Sequence, residues 1–123
     1  MSGILIVDDE EGVLAVLNRI LELLMPGYDI STARNGLAAW QQLQQHSFDL
    51  LLTDHHMPGM TGLELAQQAR DRLPELPIVL MSGGSDSDIE VKAQKLGLVS
   101  FLAKPFSVHQ LRDLLETILV PVP

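Results

Sequence analysis

At 123 residues the chain has the length of one ordinary domain, enough to bury a core without disulfides or a structural metal. It has no cysteine, which excludes disulfides, thiolate zinc sites and thiol catalysis. A formal charge of −8, with eight scattered Lys and Arg residues, argues against direct nucleic-acid binding. No apolar run approaches membrane-spanning length or has signal-peptide form, so a cytoplasmic chain without a membrane partner is expected.

Ile4 to Val7 is an apolar run rich in β-branched residues and without polar alternation, the pattern of a strand covered on both faces. It runs straight into Asp8-Asp9-Glu10-Glu11, four acids that could equally be the solvated start of a helix, where negative charge suits the helix dipole. From Gly12 the apolar residues Val13, Val16, Leu17, Ile20, Leu21 and Leu24 recur at helical spacing until Pro26-Gly27 stops them. Tyr28 to Ala33 alternates and reads as a half-exposed edge strand, after which Asn35-Gly36 turns the chain. Leu37, Trp40 and Leu43, set among glutamines, mark a second amphipathic helix with Trp40 at the core or its rim.

Phe48 to Thr53 is an apolar strand that delivers one carboxylate, Asp54, to its C-terminal tip, just before the turn at Met57-Pro58-Gly59. A third helical stripe follows at Leu63, Ala66, Ala69 and Leu73, closed by Pro74 and Pro77. Ile78 to Met81 is another continuous apolar strand, ending in Ser82-Gly83-Gly84. Asp86 to Leu96 reads as a helix with a weak apolar face of Ile89, Ala93 and Leu96. Val99 to Ala103 is the last strand, Lys104-Pro105 follows it, and Val108, Leu111, Leu115 and Ile118 mark the final helix.

Five strands thus alternate with five helices, so parallel pairing with right-handed crossovers is expected: an α/β, doubly wound five-stranded sheet with helices on both faces. The flavodoxin-like strand order 2-1-3-4-5 is taken from known folds of this kind, since periodicity alone does not fix it. Such sheets bind ligands beyond the C-terminal strand edge, where Asp8, Asp9, Asp54, Ser82 and Lys104 should converge. Ionised carboxylates about 4 Å apart repel by roughly 4 kcal/mol at an effective dielectric near 20, so the cluster calls for a cation. Mg²⁺ suits oxygen ligands of this kind, and with Mg²⁺ and Lys104 present Asp54 could act as nucleophile and become an aspartyl phosphate.

Taken together, Val7-Asp8-Asp9-Glu10, Asp54 with Met57-Pro58-Gly59-Met60-Thr61-Gly62, Ser82-Gly83 and Lys104-Pro105-Phe106 resemble the receiver domain of two-component response regulators. Each motif is weak alone; four of them in this order, each at a strand end, are specific, and the likeness covers essentially the whole chain. The resemblance implies that residues 1–123 form one receiver domain, with 119–123 a tail or the start of a linker to an output domain. It makes Asp54 the phosphoacceptor, Asp8 and Asp9 the acidic pair at the metal, and the backbone carbonyl of His56 a further ligand of Mg²⁺, for which Mn²⁺ could substitute. Lys104 would pair with the phosphoryl group and precede a cis proline, Ser82 would be the switch hydroxyl and Phe101 the switch aromatic.

The resemblance also implies a non-enzymatic signalling role. The phosphoryl donor would be a histidine kinase or a histidine phosphotransfer protein, autodephosphorylation would be slow, and an output domain or downstream protein would respond. The surface of the fourth helix, fifth strand and fifth helix would switch to control that output, and a homodimer could form on activation. Three positions depart from the family's commonest pattern: His55 replaces an aliphatic residue, Phe101 lacks a tyrosine's hydroxyl, and Gly84 follows the switch pair. These bear on phosphoryl lifetime and switching geometry, while leaving acceptor chemistry intact.

His55-His56 invites a transition-metal reading, but adjacent side chains diverge and no third histidine is near in sequence. An exposed His56 beside the phosphoryl site is the expectation, with His46 and His109 on the surface. A flavin or nucleotide site would need a glycine- or hydroxyl-rich loop after the first strand, where this chain has four acids. A phosphatase using Asp54 would ordinarily place a second carboxylate where His56 stands. A constitutive docking module would not need the intact acidic pair and lysine.

Overall fold

The computed structural model describes residues 2–83, 87–97 and 99–119. Gly84, Asp86 as a helix start and the tail at 120–123 lie outside the described residues. In chain order the elements are β1 (Gly3–Val7), α1 (Glu11–Leu24), β2 (Asp29–Ala33), α2 (Gly36–Gln45), β3 (Leu50–Asp54), α3 (Gly62–Arg72), β4 (Ile78–Gly83), α4 (Ser87–Lys95), β5 (Val99–Lys104) and α5 (Val108–Ile118). The strands pair in parallel in the order β2-β1-β3-β4-β5, the flavodoxin-like order expected.

The continuous apolar runs have a plain cause. Successive side chains on a strand point to opposite faces, and here each face carries its own helical layer. Leu5, Val7, Leu51, Ile78 and Leu80 pack with Ala39 and Leu43 of α2, Leu65 and Ala69 of α3, and Ala93 of α4. Ile4, Ile6, Leu50, Leu52, Val79 and Met81 face the other way, onto Leu14, Leu17 and Leu21 of α1 and Leu111 and Leu115 of α5. The three central strands are therefore buried on both sides, whereas the edge strand β2 keeps Asp29 and Thr32 exposed.

The helix positions were legible but their faces only partly. Leu17, Leu21, Leu43, Ala66, Ala69, Ala93, Leu111 and Leu115 point inward as their spacing predicts. Val16, Leu37 and Val108, placed on the same stripes, are exposed at 59%, 62% and 49%; Leu14 in α1 and Ala39 in α2 face inward instead, and in α3 Leu65 is buried where Leu63 is only partly so. Trp40 packs partly buried against the first core layer, at its rim.

Helix starts are set by local chemistry. Asn35 accepts the Ala38 amide, and α3 and α5 open with capping boxes, Thr61 with Glu64 and Ser107 with Gln110. The Lys104-Pro105 bond is cis, as the resemblance implied.

Candidate functional site

Strand alternation carries past the last ladder residue into the site. Ile4 and Ile6 face α1 and α5, and Asp8 continues that parity; so does Asp54 after Leu50 and Leu52, and Lys104 after Leu102. Ser82 falls on the opposite parity with Leu80, whose register partner on β5 is Phe101, while Ser82 itself pairs with Ala103. The acidic centre and the hydroxyl–aromatic pair are thus built on opposite faces of one sheet edge, with β3, which carries Asp54, beside both β1 and β4.

Asp8 and Asp54 are almost wholly buried, at 1% and 5% exposure, and the Asp9 carboxylate is partly exposed. One ligand oxygen from each of the three lies within 4.8 Å of the others. The Lys104 ammonium sits 2.9 Å from Asp54 Oδ1 and donates to Asp8 Oδ2 at 3.4 Å. Asp8 Oδ1 accepts the Glu10 amide at 3.0 Å, so both oxygens of Asp8 are oriented. One lysine against three carboxylates leaves two negative charges to be balanced, and the donors are all hard oxygens. This set fits a divalent cation such as Mg²⁺, which is held by few carboxylates and keeps waters for a phosphate to displace.

The electrostatics of the cluster show at two of its members. Burial, reinforced by the neighbouring Asp54 charge, pushes the Asp8 carboxyl above its ordinary value, against the opposing pull of the Glu10 amide and Lys104. For Lys104 burial works toward deprotonation, but the hydrogen bond and charge of Asp54 together with Asp8 outweigh it and raise the ammonium above its ordinary value.

Around this centre, Ser82 is fully buried, and its Oγ lies 3.5 Å from Nε2 of His56. His56 is exposed beside the site, as expected, and Phe101 is partly buried. His46 and His109 are exposed and remote from the acidic cluster in the chain, and the fold adds no histidine to it among the described residues. A groove of about 910 Å³, lined by Tyr28, Phe48, Leu73 and Leu119 among others, opens at the opposite end of the sheet. Concavity and chemistry are separate here, and the chemistry lies with the carboxylates.

One participant had no assigned role in the sequence. His55 donates its amide to the Met81 carbonyl at 2.9 Å, and its own carbonyl accepts the amides of Met57 and Gly62, both at 3.0 Å. Its Nδ1 accepts the Leu63 amide at 3.3 Å. Gly62 passes so close over the Asp54 carbonyl that a Cβ there would overlap it. The available signal was the Thr61-x-x-Glu64 capping box, which fixes the start of α3 and so raises the question of what receives its first amides.

A parallel 2-1-3-4-5 sheet whose C-terminal edge gathers three carboxylates, a lysine and a buried hydroxyl defines a receiver-type phosphoacceptor module. The family model for the response regulator receiver domain matches residues 4–116, and the chain belongs to that family, whose members are signalling phosphoacceptors that bind Mg²⁺ at an acidic pocket.

Among its relatives, the DNA-binding transcriptional regulator NtrC of Escherichia coli K12 is 37% identical over 111 residues. That match takes in 90% of this chain but only 23% of NtrC. The chemotaxis protein CheY of Pseudomonas aeruginosa is 34% identical over 118 residues, 94% of each chain. The response regulator protein TrrA of Thermotoga maritima, solved in complex with Mg²⁺–BeF, superposes with a TM-score of 0.85 at 29% identity, covering 97% of this chain and all of that one. No helix among the described residues is long and apolar enough to cross a membrane.

Proposed function

We propose that Asp54 accepts a phosphoryl group from the phosphohistidine of a histidine kinase or histidine phosphotransfer protein. A carboxylate oxygen of Asp54 forms the new bond to phosphorus as the bond to the donor's imidazole nitrogen breaks, and the imidazole leaves with the electron pair. Asp8, Asp9 and Asp54, with the backbone carbonyl of His56, would hold Mg²⁺, or Mn²⁺ in its place. The bound ion supplies charge neutralisation to the transferring phosphoryl oxygens. Lys104, already 2.9 Å from Asp54, moves with its ammonium onto a phosphoryl oxygen. The observation that carries this reading is that single contact between a buried carboxylate and a lysine inside a three-carboxylate cluster.

The aspartyl phosphate carries roughly −1.5 to −2 charge where the free Asp54 carboxylate carries −1. In the proposed response the Ser82 hydroxyl leaves His56 for the phosphoryl oxygen, and Phe101, on the same sheet face, follows. The α4–β5–α5 surface then rearranges. Its support is that α4 is lightly held: Ala93 is fully buried, but Ile89 and Leu96 are only partly so. The rearranged surface serves an output domain or downstream protein and could form a homodimer, in a cytoplasmic setting and without direct nucleic-acid binding by this chain. Residues 1–123 act as one receiver domain that slowly dephosphorylates itself and is otherwise not an enzyme.

Intact mass after incubation with acetyl phosphate tests the acceptor. One phosphoryl adduct that requires Mg²⁺ and is lost in Asp54→Asn is expected; an adduct that survives Asp54→Asn overturns the assignment.

A further inference from the structure

The first turn of α3 leaves three amides without intrahelical partners before Leu65 bonds back to the Thr61 carbonyl at 2.9 Å. The Glu64 amide goes to Oγ1 of Thr61 at 3.1 Å, the usual cap. The other two go to one residue outside the helix. Gly62 donates to the His55 carbonyl at 3.0 Å and Leu63 donates to His55 Nδ1 at 3.3 Å. His55 is bonded on its other side to β4 through the Met81 carbonyl and stands between Asp54 and His56. The backbone bonds would be available to any residue at position 55. The Nδ1 bond is available only to a side chain with an acceptor at that distance from Cβ, and an aliphatic one has none.

We infer that His55 is a positioning residue: its Nδ1 ties the start of α3 to the end of β3 and thereby fixes the two groups flanking it in sequence, the Asp54 carboxylate and the His56 carbonyl, for metal binding. Two further contacts require the same docking. Gly62 lies against the Asp54 carbonyl with no room for a Cβ, so any drift of the helix start is felt at the acceptor backbone. The Thr53 hydroxyl donates to that same carbonyl at 3.0 Å from the strand side, so the carbonyl is held between strand and helix. For Nδ1 to accept, the neutral ring carries its hydrogen on Nε2. The His55 ring meets that of His56 edge-to-face at a centroid distance of 5.0 Å. The inference rests on the phosphoacceptor reading above and deepens it by naming a residue that organises the site without touching the phosphoryl group.

The test compares the wild type with His55→Leu, His55→Asn and His55→Gln. Asn places an oxygen where Nδ1 stands; Gln keeps polarity and bulk but moves the acceptor one bond outward. Two quantities are read: hydrogen exchange at the Leu63 amide, and the Mg²⁺ concentration giving half-maximal adduct formation with acetyl phosphate. In His55→Leu and His55→Gln, Leu63 exchange should accelerate and the half-saturating Mg²⁺ should rise about tenfold, the usual cost of losing a group that orients a metal ligand. His55→Asn should restore both.

A capping role without consequence for the metal would accelerate Leu63 exchange and leave the Mg²⁺ dependence unchanged, which overturns the inference; so would an Asn variant that behaves like Leu. Should His55→Leu not fold, the Asn and Gln pair still decides. A wild type that forms no adduct at any Mg²⁺ concentration fails at the phosphoacceptor reading itself, and the inference falls with it, distinguishably from a failure confined to the variants.

Discussion

Asp8 is the residue on which the electrostatics of the site turn. Its carboxyl is raised above the ordinary value near 3.8, first by burial and then by the Asp54 charge. A raised acid binds its proton more tightly in the folded than in the unfolded chain, so the ionised form costs folding stability, and that cost disappears as pH falls through the folded value toward 3.8. In the metal-free protein Asp8→Asn should therefore stabilise by about 1 kcal/mol at neutral pH, a typical size for a single substitution. The gain should shrink toward zero near pH 4, and the stabilisation conferred by Mg²⁺ should be lost. Urea unfolding at several pH values with and without Mg²⁺ checks this, and a destabilised Asp8→Asn at pH 7 contradicts it. Lys104 works in the opposite sense: its raised value contributes stability below about 10.5 that is lost as pH climbs through the folded value. The sequence exposed these charged residues because each follows directly on an apolar strand. His55 was not legible in the same way, since its part depends on where a helix starting seven residues later comes to rest.

At the scale of elements, strand and helix positions could be read from periodicity, and helix faces could not always be. In α1 apolar residues stand at 13 to 17, 20, 21, 23 and 24, which supports more than one stripe. The sheet decides between them by accepting Leu14, Leu17 and Leu21, and it leaves Val16 and Leu23 exposed. The same holds in α2, where Gly36 and Ala39 are small enough to approach the neighbouring loop and strand while Leu37 turns outward. Two glycines separate rigid from yielding contacts. A Cβ at Gly62 would meet the backbone of Asp54 and His55, whereas at Gly36 it would meet the Met60 side chain, whose Cβ and Sδ lie 2.7 Å away. Gly62→Ala should cost about 3 kcal/mol, the upper end for overpacking, and weaken Mg²⁺ binding; Gly36→Ala should cost about 2 kcal/mol, because Met60 Sδ can swing aside but its Cβ yields only with the loop, and should leave Mg²⁺ binding unchanged. Denaturant unfolding with a Mg²⁺ titration measures both, and equal losses in the two variants would contradict the distinction.

For the whole molecule, the doubly wound topology explains why one edge of the sheet carries the chemistry. Parallel strands bring all their C-terminal ends to that edge, and the order β2-β1-β3-β4-β5 puts the acidic ends of β1 and β3 side by side, with β4 and β5 following. Sequence alone supplied the alternation of strands and helices but not that order, which depends on which strands pair across the crossovers; the flavodoxin-like precedent supplied it.

The central claim is that the phosphoryl group travels on the carboxylate of Asp54 as an acyl phosphate. Borohydride reduces an acyl phosphate to an alcohol, converting the phosphorylated aspartate to homoserine, and it leaves phosphohistidine untouched. Tandem mass spectrometry of the reduced protein, after phosphorylation with Mg²⁺ present, should find homoserine at position 54 and nowhere else; homoserine at position 8 or 9, or phosphate retained on His56 with Asp54 intact, would contradict the account.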